Sequence, residues 1–322
     1  MLKKKIIALL AAAAVFTGSA CITASADSNE ISGDVDSDGR VSASDSLRVL
    51  RYSVGLEKFT EKQTAKADIN HDGVINSLDA LIILRLSVSM PYDEAVVNKL
   101  TSLPEPAHGI DVSFWQEDID FNKVRESGID FVIIRAGGAT DNPAENHPYV
   151  DPRRQGVDSC FEKNYANAKA AGLDVGVYWY SFAETVEQAK REAESCLKAI
   201  KGKQFEYPVF FDLENDYQFA KGVDFCSAIT DTFCGTLRDN GYYTGFYMST
   251  SYAEKYLNDD VKNKYDYWLA QWSGEVAYSG TYQMRQYSST GRVNGVRGDV
   301  DLDRSYVDYP MYIVFNGFNN WN

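Results

Sequence analysis

The stretch YPVFFDLEN, Tyr207 to Asn215, ends an apolar run with two carboxylic acids, Asp212 and Glu214. In an extended strand, residues i and i+2 project to the same face, with Cα atoms about 6.6 Å apart. Acids crowded in this way resist ionising together, so one is pushed toward its protonated form and becomes a proton donor near neutral pH. Two further acids invite grouping with this pair: Asp111 in GIDVS and Asp301 in GDVDLD, each in a strand-like run. Any one of the four is most simply a solvated strand end. All four brought to one place would form a reacting centre.

A second pattern of oxygens is duplicated near the N-terminus. GDVDSDGRVSASDSLRVLR (Gly33 to Arg51) is echoed by ADINHDGVINSLDALIILR (Ala67 to Arg85), at an offset of 34 residues. Each copy carries oxygen side chains at positions 1, 3, 5, 9 and 12, glycine at 6 for a sharp turn, and a carbonyl at 7, which is the logic of a calcium loop. The first copy supplies Asp34, Asp36, Asp38, the Arg40 carbonyl, Ser42 and Asp45, with Gly39. The second supplies Asp68, Asn70, Asp72, the Val74 carbonyl, Asn76 and Asp79, with Gly73. Aspartate at position 12 gives a shorter arm than the usual glutamate. A helix is expected after each loop, with Leu47, Leu50 and Val54 on one face of the first and Leu78, Leu81 and Leu84 on the second.

The elements that must position the four acids follow from periodicity. From His108 the chain alternates strand-like runs (GIDVS, FVIIRAG, DVGVYWYSF, PVFFDLE, YTGFYMS) with helical ones such as FNKVRESG, FEKNYANAKAAG, VEQAKREAESCLKAIK and FCSAITDTFCGTLRDNG. Several of these close on glycine, as helix ends do. The runs YDYWLAQW, TYQMRQYS and VDLDRSY then read as strands. Five βα units followed by three strands make the fold class α/β: an irregular eight-stranded β/α barrel, preceded by a small all-α domain. In such barrels active sites gather at the C-terminal ends of the strands, where Asp111, Asp212, Glu214 and Asp301 are all expected.

The 322 residues, 44% of them hydrophobic, are ample for such a core. Residues 1–26 read as a secretory leader: Lys3 to Lys5, the apolar run Ile6 to Phe16, and Ala24-Ser25-Ala26. The run is too short for a membrane span. Cleavage after Ala26 removes three lysines and takes the formal net charge from −14 to −17. So acidic a chain is a poor nucleic-acid binder. Cys160, Cys196, Cys226 and Cys234 remain; disulfides and buried free thiols are both open, although Cys226 and Cys234 on one helix lie too far apart to bridge. His71, His108 and His147 form no metal-ligand cluster, and there is no glycine-rich phosphate loop. Boundaries are expected at 31–90 for the repeat domain, 91–107 for a linker, 108–309 for the barrel and 310–322 for an aromatic extension of edge-strand or no regular character.

Loop plus exiting helix, duplicated in register over Ile31 to Met90, resembles the dockerin module. The resemblance implies two structural calcium ions and a cohesin partner. It also implies cohesin contacts at loop positions 10 and 11 and along the helix that follows: Ala43, Ser44, Arg48 and Arg51 in the first copy, Ser77, Leu78 and Arg85 in the second. The copies differ at most of these sites, which argues against two equivalent binding orientations.

HGIDVSFWQ, DSCFEKNYANAKAAGLDVGVYWY, YPVFFDLEN, YWLAQW and GDVDLD together resemble family 25 of the glycoside hydrolases, the muramidase-type lysozymes, from about His108 to Asp303. Glu117 and Asp303 stand where glycine and asparagine are commoner in that family. The resemblance implies cleavage of the β-1,4 bond between N-acetylmuramic acid and N-acetylglucosamine in peptidoglycan, without a catalytic cofactor. Glu214 would be the general acid, Asp212 would stabilise developing positive charge or steer the substrate's acetamido group, and Asp111 and Asp301 would tune the pair. Tyr180 and Trp272 would stack on sugars, with core packing as their alternative. Arg135 would contact substrate or form a structural ion pair. The whole is expected to be secreted and held at a scaffold or cell surface; a chitinase-like hydrolase and a non-catalytic glycan-binding barrel are the rival readings.

Overall fold

The computed structural model describes residues 32–69, 73–88, 100, 102–142 and 150–321. The expected leader, most of the expected linker, and loop positions Asn70 and Asp72 lie outside the described residues. The chain divides into two compact units, Met1–Lys99 and Leu100–Asn322.

In the first unit, helices α1 (Ala43–Ser53) and α3 (Ser77–Ser87) follow the two loops, with α2 (Glu61–Ala67) between them. Ser42 starts α1 by accepting from the Ser44 N–H, while Asp45 reaches back to the Ser42 N–H at 2.9 Å, a reciprocal cap. Thr60 and Gln63 cap α2, a helix the repeat pattern did not announce, in the same way. The core consists of Val35, Val49, Ala67, Ala80 and Ile83. Of the apolar residues expected on one face of the first helix, Leu50 packs against this core, while Leu47 and Val54 are exposed. The Ser46 hydroxyl donates to the Ala80 carbonyl, so the two helices meet at small residues and the Ser46–Val49 face turns inward.

The second unit contains the expected barrel. Its strands are β1 (Ser102–Val112), β2 (Phe131–Gly138), β3 (Gly156–Val157), β4 (Asp174–Tyr180), β5 (Val209–Asp212), β6 (Thr244–Ser249), β7 (Asp266–Ala270), β8 (Met284–Gly291) and β9 (Val300–Val307). β1, β2 and β4 to β8 run parallel in that order. β9 runs antiparallel to both β8 and β1, closing the eight-stranded ring. The two-residue β3 is an antiparallel addition on β2. β1 begins inside the expected linker. Its pairing with β9 is interrupted between Ser102 and Ala107, which is where Pro104 and Pro106, lacking N–H donors, are tolerated.

Alternation along the strands resolves the opening puzzle. On β5, Val209, Phe211 and, just beyond it, Leu213 face outward into the cluster shared with the helices, while Tyr207 and Phe210 join the cluster inside the barrel. Asp212 and Glu214 continue the inward phase, at the end where that stripe turns polar. The same switch occurs on β2, from Phe131 and Ile133 to Arg135, and on β1, where Asp111 follows inward Gly109. A Cβ on Gly109 would meet the Phe131 ring at 2.2 Å, so glycine is what lets that ring fill the bottom of the barrel.

The C-terminal aromatics belong to this bottom layer. Instead of an edge strand they form helix α4 (Tyr309–Phe315), begun by the Asp308 carboxylate accepting from Met311 N–H at 3.0 Å. Tyr309 and Ile313 are fully buried beside Phe131 and Tyr207, with Tyr312, Phe318 and Trp321 packed around them. Asn319, fully buried with φ at 56°, accepts from the Tyr243 N–H at 2.8 Å and donates to the Tyr207 carbonyl at 3.0 Å. Asn319→Ala leaves both backbone groups unpaired and places alanine in left-handed backbone, so it should cost about 2–4 kcal/mol in urea unfolding of the barrel. A change below about 0.5 kcal/mol would make the tail a mere appendage.

Candidate active site

The polar end of the barrel interior gathers acids from three strands. Asp111 comes from β1, Asp212 and Glu214 from the end of β5, and Asp301 and Asp303 from β9. Register puts Asp111 directly opposite Asp301, and Tyr180, Asp212 and Tyr247 side by side on β4, β5 and β6. The four acids singled out in the sequence therefore meet, joined by a fifth.

Their environments differ. Asp212 is 5% exposed and its Oδ1 has no hydrogen-bond partner within the protein. Burial and then the neighbouring Glu214 charge push it well above the usual carboxylate range, against the pull of Arg135 and Arg154. Glu214 is open to solvent on its cleft side but hemmed in by protein elsewhere, so burial raises it too, while the Tyr180 hydroxyl and Arg154 oppose the rise. Two such neighbours titrate as a unit, and the second ionisation is the costly one. Asp301 is pushed up to about 6 by burial and by Glu214.

Gln286 on β8 organises the opposite wall. The Trp272 indole N–H donates to its Oε1 at 2.8 Å and the Tyr247 hydroxyl to the same oxygen at 2.9 Å. An indole nitrogen can only donate, which fixes the amide orientation and turns Nε2 toward Asp111 Oδ2, at 2.7 Å. Trp272 is 57% exposed, an aromatic face standing free at the cleft. Tyr180 is half-buried beside Glu214, with Arg154 over its ring at 5.3 Å.

In the first unit, Asp34, Asp36 and Asp38 each present a carboxylate oxygen within 4.8 Å of the other two. Gly39 and Gly73 adopt φ of 87° and 83°, the turn required at position 6. Asp34 accepts from the Asp38 and Gly39 N–H groups, and in the second loop Asp68 accepts from Gly73. Asp45 and Asp79 are fully buried at position 12, and each receives backbone N–H groups from its own loop. The first oxygen set fits a hard cation such as calcium. Of the expected partner-binding residues, Arg48 and Arg51 both reach Glu57, at 2.8 and 3.5 Å, and the Ser44 hydroxyl donates to Asp36. Ala43 opens α1, Ser77 opens α3 and Arg85 lies in its last turn. The Leu78 side chain lies outside the described part.

Comparison with known proteins agrees with both halves. Residues 110–296 match the model of glycosyl hydrolases family 25. The chain belongs to that family. Residues 32–86 match the dockerin type I domain. The family-25 region is 31% identical over 196 residues to an autolytic lysozyme of Clostridium acetobutylicum, covering 61% of this chain and 54% of that protein. It is 28% identical over 214 residues to lysozyme M1 of Streptomyces globisporus, covering 61% and 66%. The fold is shared with the crystal structure of a bacterial lysozyme from Streptomyces coelicolor, at 21% identity and a TM-score of 0.52, covering 68% of this chain and all of that one. The chain spans about half to two thirds of the length of these curated relatives.

Within the family-25 domain, Arg135 takes the structural one of its two expected roles. Arg135 is 2% exposed, its Nε 3.0 Å from Asp158 Oδ2, its guanidinium 4.7 Å from the Phe114 ring centre. An inward position low on the polar stripe buries it beneath the cleft, where its charge reaches Asp212 without reaching solvent. Gln286, Tyr247 and Arg154 escaped the sequence reading; inward alternation on β6 and β8 was the available signal for the first two. All four later cysteines are free, Cys196, Cys226 and Cys234 as buried thiols. Arg135→Gln should cost about 3–5 kcal/mol of stability, because Asp158 is left charged and buried. A stable variant with only a raised KM would return Arg135 to substrate binding.

Proposed function

We propose that the family-25 domain is a muramidase, hydrolysing the β-1,4 bond between N-acetylmuramic acid and N-acetylglucosamine in peptidoglycan. The observation that carries this is the pairing of an accessible acid, Glu214, with a buried one, Asp212, on the same inward phase of β5. The raised pair retains a proton toward neutral pH, and Glu214 is the member that a glycosidic oxygen can reach. It donates that proton to the leaving oxygen. Asp212, with Oδ1 unpartnered and Arg135 and Arg154 offsetting part of the burial that raises it, faces the positive charge that develops at the sugar. The same oxygen suits the acetamido N–H of the substrate, which supports a route assisted by the substrate's own carbonyl. Asp111 and Asp301 complete the negative wall, and Trp272 and Tyr180 offer ring faces for sugar stacking.

The N-terminal unit is read as a dockerin holding two structural calcium ions and binding a cohesin on a scaffold protein, and the enzyme as secreted. Supporting this are the oxygen set of the first loop, its repeat at Asp68, Val74, Asn76 and Asp79, and the exposed Leu47 on α1 and Val54 just after it. Among the described residues no helix is long and apolar enough to cross a membrane.

Glu214→Gln preserves shape, so it should keep the fold while lowering turnover on purified peptidoglycan about 10²- to 10⁴-fold. Turnover within a factor of two of the parent would move the proton donor elsewhere. Mass spectra of the digest should carry new reducing ends on N-acetylmuramic acid, and reducing ends on N-acetylglucosamine would sink the bond assignment. A calcium chelator should unfold the small N-terminal unit and abolish cohesin capture, because its clustered carboxylates repel one another once empty. Hydrolysis by the barrel should continue unchanged. Loss of both activities together would mean the barrel depends on the metal or on the N-terminal unit.

A further inference from the structure

The chain has a formal net charge of −14 and gathers acids from three strands at its cleft, yet the substrate proposed for it is also anionic. The N-acetylated sugar rings of peptidoglycan are neutral. Its negative charge lies on the free carboxylates of the peptide stems that hang from N-acetylmuramic acid. An acidic mouth repels such a stem unless a cation at the rim meets it.

Arginines and aromatic rings alternate along one side of the mouth. Phe114 and Trp115 follow β1, Arg153 and Arg154 lie beyond β2, and Tyr180 ends β4, so three neighbouring strands contribute. The buried Arg135 guanidinium lies 4.7 Å from the Phe114 ring centre. Arg153 lies 5.5 Å from Phe114 and 4.6 Å from Trp115, and Arg154 lies 6.0 Å from Trp115 and 5.3 Å from Tyr180. Two of the three cations are already neutralised. Arg135 pairs with Asp158 at 3.0 Å, and the exposed Arg153 holds Asp151 through Nε at 3.1 Å and Nη2 at 2.6 Å. Arg154 is different: among the described residues no carboxylate pairs with it and no acceptor takes its guanidinium protons. Asp212 and Glu214 feel its charge without touching it.

The backbone that presents Arg154 is fixed. Arg135 Nη2 donates to the Arg153 carbonyl at 3.2 Å, and the Arg154 N–H donates to the Asp151 carbonyl at 2.8 Å. The Arg154 carbonyl also packs so close to Gly138 that a Cβ there would meet it at 2.8 Å. Its side chain is half-buried against the ring faces, so much of the rotamer freedom that a solvated arginine gives up on binding is already gone. A planar guanidinium held in this way matches a carboxylate with two parallel N–H donors.

We propose that Arg154 is a specificity-determining residue that binds a carboxylate of the peptide stem, so that the enzyme prefers glycan whose stems are charged. The inference rests on the muramidase reading for the substrate it names.

The test uses the full chain and two forms of soluble peptidoglycan strands, both freed of phosphate polymers and acetylated at their amino groups: one with stem carboxylates intact, one with them converted to amides. For each protein the ratio of kcat/KM on the two forms cancels any general influence of Arg154 on Asp212 and Glu214. The parent should favour the carboxylate form by about tenfold or more, the contribution of a charge-assisted hydrogen bond. Arg154→Gln should bring the ratio to unity or below, because the acids of the cleft then act unopposed. A parent without the preference overturns the proposal. So does a variant that keeps it, which would leave Arg154 only a charge beside the reacting acids. If the parent cleaves neither form, the muramidase reading falls, and calorimetric titration with the same two glycans judges Arg154 by itself. Tighter binding of the carboxylate form by the parent, lost in Arg154→Gln, sustains the proposal, and equal or absent binding overturns it.

Discussion

Carboxyl groups packed into one poorly solvated mouth cannot all carry charge, and the working end of this barrel is arranged around that constraint. Each ionisation raises the cost of the next. The site must therefore distribute a few protons among Asp111, Asp212, Glu214, Asp301 and Asp303, and the protein settles where they go with fixed donors. Gln286 holds Asp111 as an acceptor, Trp268 occupies one oxygen of Asp303, and the arginines favour charge on Asp212. Glu214 is left as the member both raised and open to the cleft, the combination a proton donor needs.

The scaffold explains why these donors are reliable. Trp268 is an inward residue of β7, enclosed by Tyr178, Phe210 and Tyr247, so its indole N–H has one direction in which to point. Gln286 is fixed by two donors on one oxygen. Arg135 is pinned by Asp158, which also accepts from the Phe114 and Cys160 N–H groups and so ties the segment after β1 to the segment after β3. The electrostatics of the mouth are thus inherited from ordinary packing one layer beneath it.

Much of this could be read in the residues, and the failures have physical causes. Period-two alternation placed Asp212 and Glu214 on one face, and the barrel pattern brought Asp111 and Asp301 to them. The loops declared themselves by oxygen spacing. What alternation cannot tell is depth along an inward stripe: Arg135 and Glu214 are both inward, but one lies beneath the cleft and the other at its rim. Nor does sequence reveal which neutral residue from a distant strand completes an acid, which is why Gln286 went unnoticed. Helix rotation misled for a related reason, since Leu47 outweighs Ser46 in hydrophobicity while close helix approach selects the smaller side chain. The tail defeated the reading because its aromatics serve a helix, a turn and a final loop in succession.

Closure by β9 carries a consequence for how the molecule forms. Asp111 and Asp301 are register partners although 190 positions separate them in the chain, and the bottom layer waits on residues later still. Pairings of such long sequence separation demand a large loop-closure entropy before any contact returns it, so they form late. Until then β1 and β8 each present an unsatisfied edge, and β1 carries Asp111 on the face that will become the interior. That carboxylate, repelled when charged by its counterpart, discourages β1 from pairing with β1 of another chain. A carboxyl that belongs to the chemistry of the finished barrel thereby acts as a guard against aggregation in the unfinished one.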